Sequence, residues 1–490
     1  MVFEVSHHGA RTLARLTPFP DKRPIPMANI AIIGGGAAGA SVFGALLAHD
    51  APDTVHWVTG THERAGRGVA YGTAHDHHLL NVRAAGMGLY VDADEDFAQY
   101  GSRHRAGARP TDFLPRRLFG EYIEAQLDRR LHHALQRGRR FAVTPCTAIR
   151  LRATREGYEI ALDNGEMLVA RQVVLALGAL TPRPLRTVSE RALASGAYVL
   201  DPWRLTERAI QPRRLIVIGT GLTAVDTLIT ASIRWPDIEL VAVSRHGLLP
   251  FVHPARPIDA YPQQAELNAK LIACDGPAPM LAEIRRLFRT HQAVDWRSVI
   301  DGMRPINAKL WGGFTPRQRR QFLRHVRWLW ESSRHRLAPE PAEIIQQLRD
   351  EGRLQVCAAR VLEVDGDGPL NVTVRSRIKQ MATTLQSDIV VQATGLDTAV
   401  GFAQHPLLSG LLQDGLATAD PLHLGVLAQA DGSLINAAGG VQQGLHAIGS
   451  LLRGNLWECT AMPEIRVAAH ALAAQLNARH SLQSGLATAS

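Results

Sequence analysis

The chain has 490 residues and a formal charge of +9, and its basic residues are nearly all arginine. That length predicts two or three domains with sizeable cores, at roughly 150 residues per domain. The arginines form no run of like charge and accompany no nucleic-acid-reading motif, and no apolar run reaches the roughly 18 residues of a membrane-spanning helix, so neither nucleic acid nor membrane is an expected partner.

The first 26 residues lack the continuous apolar core of a signal peptide, which predicts a cytoplasmic, reducing location. The four cysteines are then expected to be free thiols. They are far apart in sequence, so the close cysteine pair of disulfide oxidoreductases is absent. We expect residues 1–27 to form a disordered leader, with Met27 a candidate for the natural start.

The first stretch that indicates chemistry covers residues 29–40, where a β-branched strand ends in a glycine-rich turn before an alanine-rich helix. Gly34 permits the turn, Gly36 lets the backbone approach a pyrophosphate, and Gly39 lets the helix pack closely on the strand. The helix N-terminus, with Ala38 in its first turn, then faces the phosphates. Alone, this spacing also fits a simple packing turn.

About 20 residues after the glycines, where an acid holds the adenosine ribose in such units, the chain has Thr59. Glu63 is the nearest acid and becomes the candidate ribose ligand. A glycine-rich loop at residues 66–73 contains Arg67, and a second such loop contains Asn81. Both loops fit plain connections, but loops on a rigid α/β scaffold commonly carry binding groups, so we expect Arg67 and Asn81 to contact a cofactor.

A hairpin is predicted next, with strands at residues 158–162 and 166–169 joined through Asn164 and Gly165 in a type I′ turn. A strand at residues 172–177 then closes in Gly178.

Residues 215–226 repeat the strand–glycine–helix pattern, with Gly219, Gly221 and Ala224 at the spacing GxGxxA. Two such units imply two bound dinucleotides, FAD and NAD(P)H. The next strand ends in Ser244 and Arg245, where an arginine favours NADPH because a guanidinium binds a ribose 2′-phosphate bidentately. An exposed arginine at a strand end is the alternative interpretation.

Between about residues 261 and 352 the pattern becomes helical and rich in tryptophan and arginine. One helix is expected to begin at Thr315 as N-cap, followed by Pro316. Most of these side chains are expected to pack or to be solvated, but some suit a pocket for a flat anion. Arg304 and Trp311 are the candidate substrate residues.

Near the C-terminus, two further glycines are candidate cofactor contacts. Gly395 closes a strand, and Gly449 lies where many flavoproteins have a Gly-Asp step; Ser450 replaces the aspartate. A long amphipathic helix follows from about Thr460, and residues 481–490 are expected to fray.

These elements predict an α/β fold with two Rossmann-like domains and a helical insert. The expected division is a leader (1–27), a discontinuous FAD-binding domain (28–205 and 387–480), an NAD(P)-binding domain (206–386) with its insert (about 261–352), and a disordered tail (481–490).

In order along the chain, the blocks GRGVAYGT, HLLNVRA, PWR, GTGLTAVD, SRHGLLP and LLRGNLWECTAMPEIR make it resemble the FAD/NAD(P)-binding family of bacterial flavoproteins, closest to the FAD-dependent urate hydroxylase type. The resemblance implies a monooxygenase that uses NAD(P)H, FAD and dioxygen to hydroxylate urate to 5-hydroxyisourate, in purine catabolism. Arg83, Thr59 and Cys459 depart from the family pattern, where proline, an acid and serine are usual.

Other functions stay open from the residues alone. One is a flavin monooxygenase or N-hydroxylase acting on an amine or ketone, and another is a non-catalytic, redox-sensing dinucleotide-binding module; salt-sensitive retention on DNA would instead indicate a nucleic-acid binder. The expected partners are a small-molecule substrate and dioxygen. The sequence predicts no metal site, no particular catalytic base and no oligomeric state.

Overall fold

The structure is a computed structural model, and it describes residues 28–48, 54–60, 64–207, 211–292 and 294–487, with side chains to residue 478. The predicted disordered leader and Glu63 lie outside the described residues. In the described part of the chain, no helix has the length and apolar character needed to cross a bilayer.

Fifteen strands and sixteen α-helices are described. The strands are β1 Ala28–Ile33, β2 Thr54–Val58, β3 Arg140–Thr144, β4 Ala148–Ala153, β5 Tyr158–Leu162, β6 Met167–Leu175, β7 Tyr198–Val199, β8 Arg214–Ile218, β9 Glu239–Ser244, β10 Leu354–Asp365, β11 Leu370–Ser376, β12 Ala382–Ser387, β13 Ile389–Gln392, β14 Ser433–Ile435 and β15 Val441–Ala447. The helices are α1 Ala37–Ala48, α2 Gly68–Tyr71, α3 Asp96–His104, α4 Arg116–Gln136, α5 Glu190–Ala194, α6 Leu222–Arg234, α7 Gln264–Ala273, α8 Pro277–Thr290, α9 Trp296–Gly302, α10 Asn307–Gly313, α11 Pro316–His325, α12 Arg327–Arg334, α13 Pro339–Asp350, α14 Pro406–Gln413, α15 Arg453–Leu456 and α16 Met462–Ala487.

The chain divides into two compact units. Of the described residues, those within 28–74, 82–180 and 398–487 form unit 1, and those within 75–81 and 181–397 form unit 2. Residues 75–81, 181–205 and 387–397, which were predicted to belong to the first domain, belong to unit 2. The predicted disordered tail begins at residue 481, but α16 continues to Ala487.

Unit 1 is built on a sheet with the strand order β14-β15-β6-β1-β2-β3, to which the β4–β5 hairpin is joined through β5. The strands β15, β6, β1, β2 and β3 run parallel, and Ile33 is in register with both Val58 and Leu175. Because parallel strands end at the same edge, the turns after β1, β6 and β15 meet there. Helix α1 packs beside this sheet and is buried along nearly its whole length, since small residues allow close approach.

The predicted β5–β6 hairpin is present, but its turn is not type I′. That turn needs a positive φ at both central residues, and Gly165 has φ +84° while Asn164 is not in the left-handed region. Leu162 N instead donates to Glu166 O at 3.0 Å across a longer loop, and the Asn164 side chain accepts from Glu166 N at 3.0 Å. A glycine after a tight turn is the common form of such longer hairpin loops.

Unit 2 is built on a sheet with the order β12-β11-β10-β9-β8-β13-β7. The five strands from β10 to β7 run parallel, and β11 and β12 extend the sheet antiparallel. The second half of β10 pairs with β11, so the tip of the β11–β12 hairpin lies beside the middle of β10. This tip is close to the carboxyl end of β9.

The helical insert predicted between β9 and β10 is confirmed as α7–α13. Thr315 caps α11 in a capping box, with Pro316 at the first helical position, as expected. Buried aromatic rings hold the insert together: Phe322 lies 5.8 Å from Trp311 and 6.3 Å from Trp330 between ring centroids. Such pairs stabilise a small core beyond the area that they bury.

His56 on β2 gives unit 1 a pH-dependent stability. Its buried ring lies 2.6 Å from the Thr144 hydroxyl, and burial lowers its pKa to about 4 despite the opposing attraction of Glu166. The folded-state pKa lies below the unfolded value of about 6.5, so the stabilisation is present above pH 6.5 and is lost as the pH falls toward 4.

Between pH 7 and pH 5 this residue should therefore cost about 2 kcal/mol of stability. We expect His56→Gln, which cannot be protonated, to lose less stability over that interval than the wild type. Urea unfolding of both proteins at the two pH values measures the difference. Identical pH dependence in the two proteins would contradict the assignment.

Candidate functional site

In the glycine-rich loop of unit 1, some glycines are required by packing. Gly34 has φ +126°, and a Cβ there would lie 2.2 Å from the carbonyl oxygen of Ala176. A Cβ on Gly39 would lie 2.1 Å from the carbonyl oxygen of Gly34, which also accepts a 2.9 Å hydrogen bond from Trp57 Nε1. At Gly34 and Gly39, therefore, the protein's own backbone leaves no room for a side chain.

Gly36 differs from its neighbours because the space beside it is open. The nearest atom to a Cβ on Gly36 would be the Cα of Gly68, at 3.9 Å. The residue lies where α1 begins, so backbone N–H groups and the positive end of the helix dipole face that space. An open approach to a helix N-terminus fits a pyrophosphate.

Ala38 and Gly449 lie close to each other beside this loop, and their contact with a cofactor stays a prediction. Gly449 has φ +76°, and a Cβ on it would be 3.8 Å from that of Ala38. The Ser450 hydroxyl donates to the carbonyl of Gly178, so the turns after β6 and β15 are joined. Cys459 Sγ donates to the carbonyl of Gly449 at 3.2 Å, and burial raises the pKa of this thiol to about 12. Cys459 thus supports the turn as a neutral thiol.

Arg67 is buried and paired. It follows Gly66, whose N–H donates to Gly35 O at 2.7 Å and closes this loop over the glycine turn. Arg67 Nε and Nη2 each donate to a Glu124 carboxylate oxygen at 2.7 Å, and the side chain is 6% exposed. The pair fixes the loop to α4, and direct contact of Arg67 with a cofactor stays a prediction.

The ribose ligand of the first dinucleotide also stays a prediction. Thr59 is buried, and its hydroxyl lies 3.4 Å from the carbonyl of Thr144 on the neighbouring strand. The Thr59 side chain therefore makes its contact within the sheet.

Unit 2 has the same two kinds of glycine as unit 1, some packed against backbone and some with open space beside them. Gly219 has φ +132°, and a Cβ on it would lie 2.0 Å from the carbonyl oxygen of Ala393. Gly221 has no atom within 4 Å of its Cβ position, and neither has Gly395 (φ +92°). Ala224 is fully buried in α6, where a larger residue would separate helix and strand. The open position at Gly221 fits the second pyrophosphate.

Ser244 and Arg245 lie at the carboxyl end of β9, as predicted. Ser244 Oγ accepts from Gly247 N and lies 3.0 Å from each of Gly247 N and Thr220 Oγ1, which ties the end of β9 to the turn after β8. Arg245 is exposed. His246 and Arg377 were not predicted, because Arg377 reaches this place only through the pairing of β9 with β10 and of β10 with β11.

Asn81 contributes through its backbone, whose carbonyl lies 3.0 Å from His253 Nε2. It ends the 75–81 segment, in which the rings of His77 and His78 both contact the Thr230 hydroxyl of α6, at 2.9 Å and 2.8 Å. Burial, with a smaller contribution from His75, lowers the pKa of His77 to about 4, against the opposing effect of Asp76. Sequence reasoning missed this attachment of the segment to α6. A cofactor contact of the Asn81 side chain stays a prediction.

The structure contradicts the proposal that Trp311 lines a pocket. Its side chain is 2% exposed and packs between Phe314 and Phe322, with the Arg319 guanidinium 5.2 Å from its ring. Trp311 lies near the end of α10, before two glycines, and the helix turns its indole into the core of the insert. Arg304 is half-buried at the start of a short 3₁₀ turn, and its contact with substrate stays a prediction. In the described residues, no group of three His, Cys, Asp or Glu side chains is arranged to hold a metal ion.

Comparison with known proteins gives a family match for part of the chain. Residues 31–180 match a family model described as FAD-NAD(P)-binding. No curated protein sequence matches the chain. None of the comparisons supports the urate hydroxylase type.

Several solved structures are similar over nearly the whole chain. An ornithine N-hydroxylase from Kutzneria sp. 744, with reduced FAD, NADP⁺ and L-ornithine, has a TM-score of 0.63 at 15% identity and covers 93% of this chain and 100% of its own. An L-lysine 6-monooxygenase from Pseudomonas syringae has a TM-score of 0.63 at 16% identity, covering 92% and 99%. A FAD-bound cadaverine monooxygenase from Erwinia amylovora has a TM-score of 0.59 at 12% identity, covering 93% and 95%. The chain thus has the mixed α/β, Rossmann-type fold of FAD- and NAD(P)-binding flavoproteins, and the expected cofactors FAD and NAD(P)H agree with the family description.

Proposed function

We propose that this protein is an FAD-dependent, NAD(P)H-consuming monooxygenase that hydroxylates the nitrogen of a primary amine. The observation that carries the proposal is the structural similarity to amine monooxygenases over 92–93% of this chain. The match covers the whole architecture rather than one cofactor domain. It favours the amine alternative of the sequence analysis over urate.

The chain's own residues supply binding and orientation. Unit 1 would hold FAD, with its pyrophosphate at the open Gly36 position and its remaining length along the turns at Gly178 and Gly449. Unit 2 would hold NAD(P)H at Gly221. The bound flavin supplies the electron transfer and oxygen chemistry that no amino-acid side chain provides.

The proposed reaction is R–NH₂ + O₂ + NAD(P)H + H⁺ → R–NHOH + NAD(P)⁺ + H₂O. One oxygen atom enters the new N–O bond and the other leaves as water, with two electrons from the nicotinamide. An alkylamine has a pKa of about 10.4, so its nitrogen must lose a proton before its lone pair can react. We therefore expect turnover of an amine to rise with pH above neutrality.

The test is a stoichiometric assay of the flavin-replete enzyme with ornithine, lysine, cadaverine and, as a separate arm, urate. For an accepted amine, we expect NAD(P)H oxidation, oxygen uptake and hydroxylamine formation in equal amounts. Hydrogen peroxide should not accumulate with the correct substrate.

The cytoplasmic location stays a prediction.

The assay separates the alternatives. Equal consumption of urate, oxygen and NAD(P)H would establish urate hydroxylation and overturn the amine proposal. Peroxide equal to NAD(P)H with every compound would mean an oxidase. A bound flavin that no nicotinamide reduces would mean a non-catalytic module.

A further inference from the structure

The turn after β9 carries a rigid aromatic pair next to Arg245. The His246 ring stacks on Trp328, with 4.3 Å between centroids and 13° between planes. Trp328 is itself fixed, because its Nε1 donates to the carbonyl of His325 at 2.9 Å. The position of the imidazole is therefore set by the insert.

The β11–β12 hairpin brings Arg377 to the same place. Arg377 N donates to Ala358 O at 2.9 Å, and Ala358 is the register partner of Ser244 at the end of β9. Gly247, with φ +60°, allows the chain to pass closely, since a Cβ there would lie 2.9 Å from Ala358 N. Arg377 Nη1 donates to His246 Nδ1 in a short hydrogen bond.

The charge at this place is uncompensated. His246 accepts at Nδ1 and is neutral, in agreement with a pKa lowered by burial and by the guanidinium groups of Arg377 and Arg245. Across residues 211–292 and 294–478, no carboxylate forms an ion pair with Arg245 or Arg377. Two nearby cations without an acid repel each other, and a bound dianion would relieve that cost.

We propose that Arg245 and Arg377 together bind the 2′-phosphate of NADPH, with His246 as a positioning residue for Arg377. The inference rests on the proposed function and specifies its nicotinamide cofactor. The carboxyl end of β9 is where the adenosine ribose lies in this fold. Arg245 follows β9 and Arg377 lies in the turn between β11 and β12, and both guanidinium groups act on His246 at this place. Each planar fork can donate two hydrogen bonds to phosphate oxygens.

The test measures binding of adenosine 2′,5′-bisphosphate and of 5′-AMP by calorimetry, which does not depend on turnover. Arg377→Ala should weaken the bisphosphate about tenfold to a hundredfold and leave 5′-AMP unchanged. Lys379→Ala is the matched control, because it removes a positive charge from the same hairpin turn. It should change neither ligand by more than about twofold, because the hydrogen bond to His246 comes from Arg377 and not from Lys379.

A double-mutant cycle tests the role of His246. His246→Ala should weaken the bisphosphate in the wild type but have no further effect in the Arg377→Ala background, because its effect passes through that guanidinium. Unchanged affinity in Arg377→Ala, or equal losses in Arg377→Ala and Lys379→Ala, would overturn the inference. Retained selectivity for the bisphosphate in a protein that hydroxylates no amine would overturn the proposed function and leave this inference standing.

Discussion

Gly36→Val is expected to yield a folded protein that has lost its FAD. The open space at this position has its first protein atom 3.9 Å from a Cβ, so the chain tolerates the valine methyl groups. The cofactor does not, because those groups would occupy the place of its pyrophosphate. Overpacking of this kind costs about 3 kcal/mol, which corresponds to roughly a hundredfold loss of affinity.

The visible spectrum of the purified variant and an FAD titration of the apoprotein measure the loss. Gly39→Val is the contrasting variant, since its Cβ would lie 2.1 Å from the Gly34 carbonyl oxygen and should prevent folding. Circular dichroism of both proteins separates the two causes. A folded Gly36→Val protein as yellow as the wild type would show that FAD does not use this loop.

Gly221→Val is expected to weaken NAD(P)H binding, and so to slow reduction of the flavin at low NAD(P)H, while leaving the flavin bound. Gly221 has no atom within 4 Å of its Cβ position, so the substitution fills space meant for the second pyrophosphate. The apparent dissociation constant for the nicotinamide should rise about a hundredfold, by the same overpacking cost. Anaerobic stopped-flow reduction over a range of NADPH concentrations measures it.

Dithionite, which needs no binding site, should still reduce the flavin of Gly221→Val and serves as the control. Gly219→Val is the structural counterpart, because its Cβ would meet the Ala393 carbonyl oxygen at 2.0 Å. An unchanged dissociation constant in Gly221→Val would assign the nicotinamide to another surface.

The parts of the fold that the sequence predicted are those specified by local spacing. Both glycine turns, the Thr315 capping box and the helical insert depend on residues within a few positions of one another, so a pattern in the chain suffices. The spacing also assigned packing roles to Gly34 and Gly39, and the close contacts at both positions agree with it, whereas the cofactor contacts of Gly36 and Gly221 stay predictions.

The parts that were missed depend on contacts between distant residues. The Arg377–His246 hydrogen bond spans 131 positions, and the His77–Thr230 contact spans 153. No local pattern indicates either contact. The prediction that Trp311 lines a pocket was wrong for a related reason. The local sequence of a tryptophan before two glycines is the same whether its ring lines a pocket or packs against Phe322. The boundaries of the two units differ from the predicted domain boundaries for the same reason, because contacts between distant residues, and not continuity along the chain, decide which unit a segment belongs to.

The 75–81 segment has a consequence for how this architecture can be divided or recombined. Its histidines hold it to α6, although the chain on both sides of it belongs to the other unit. The polypeptide therefore passes between the units four times, at positions 74/75, 81/82, 180/181 and 397/398. Excising residues 181–397 as an autonomous module would strip α6 of its histidine partners and uncover Thr230. A chimaera that exchanges unit 2 must therefore carry residues 75–81 with it.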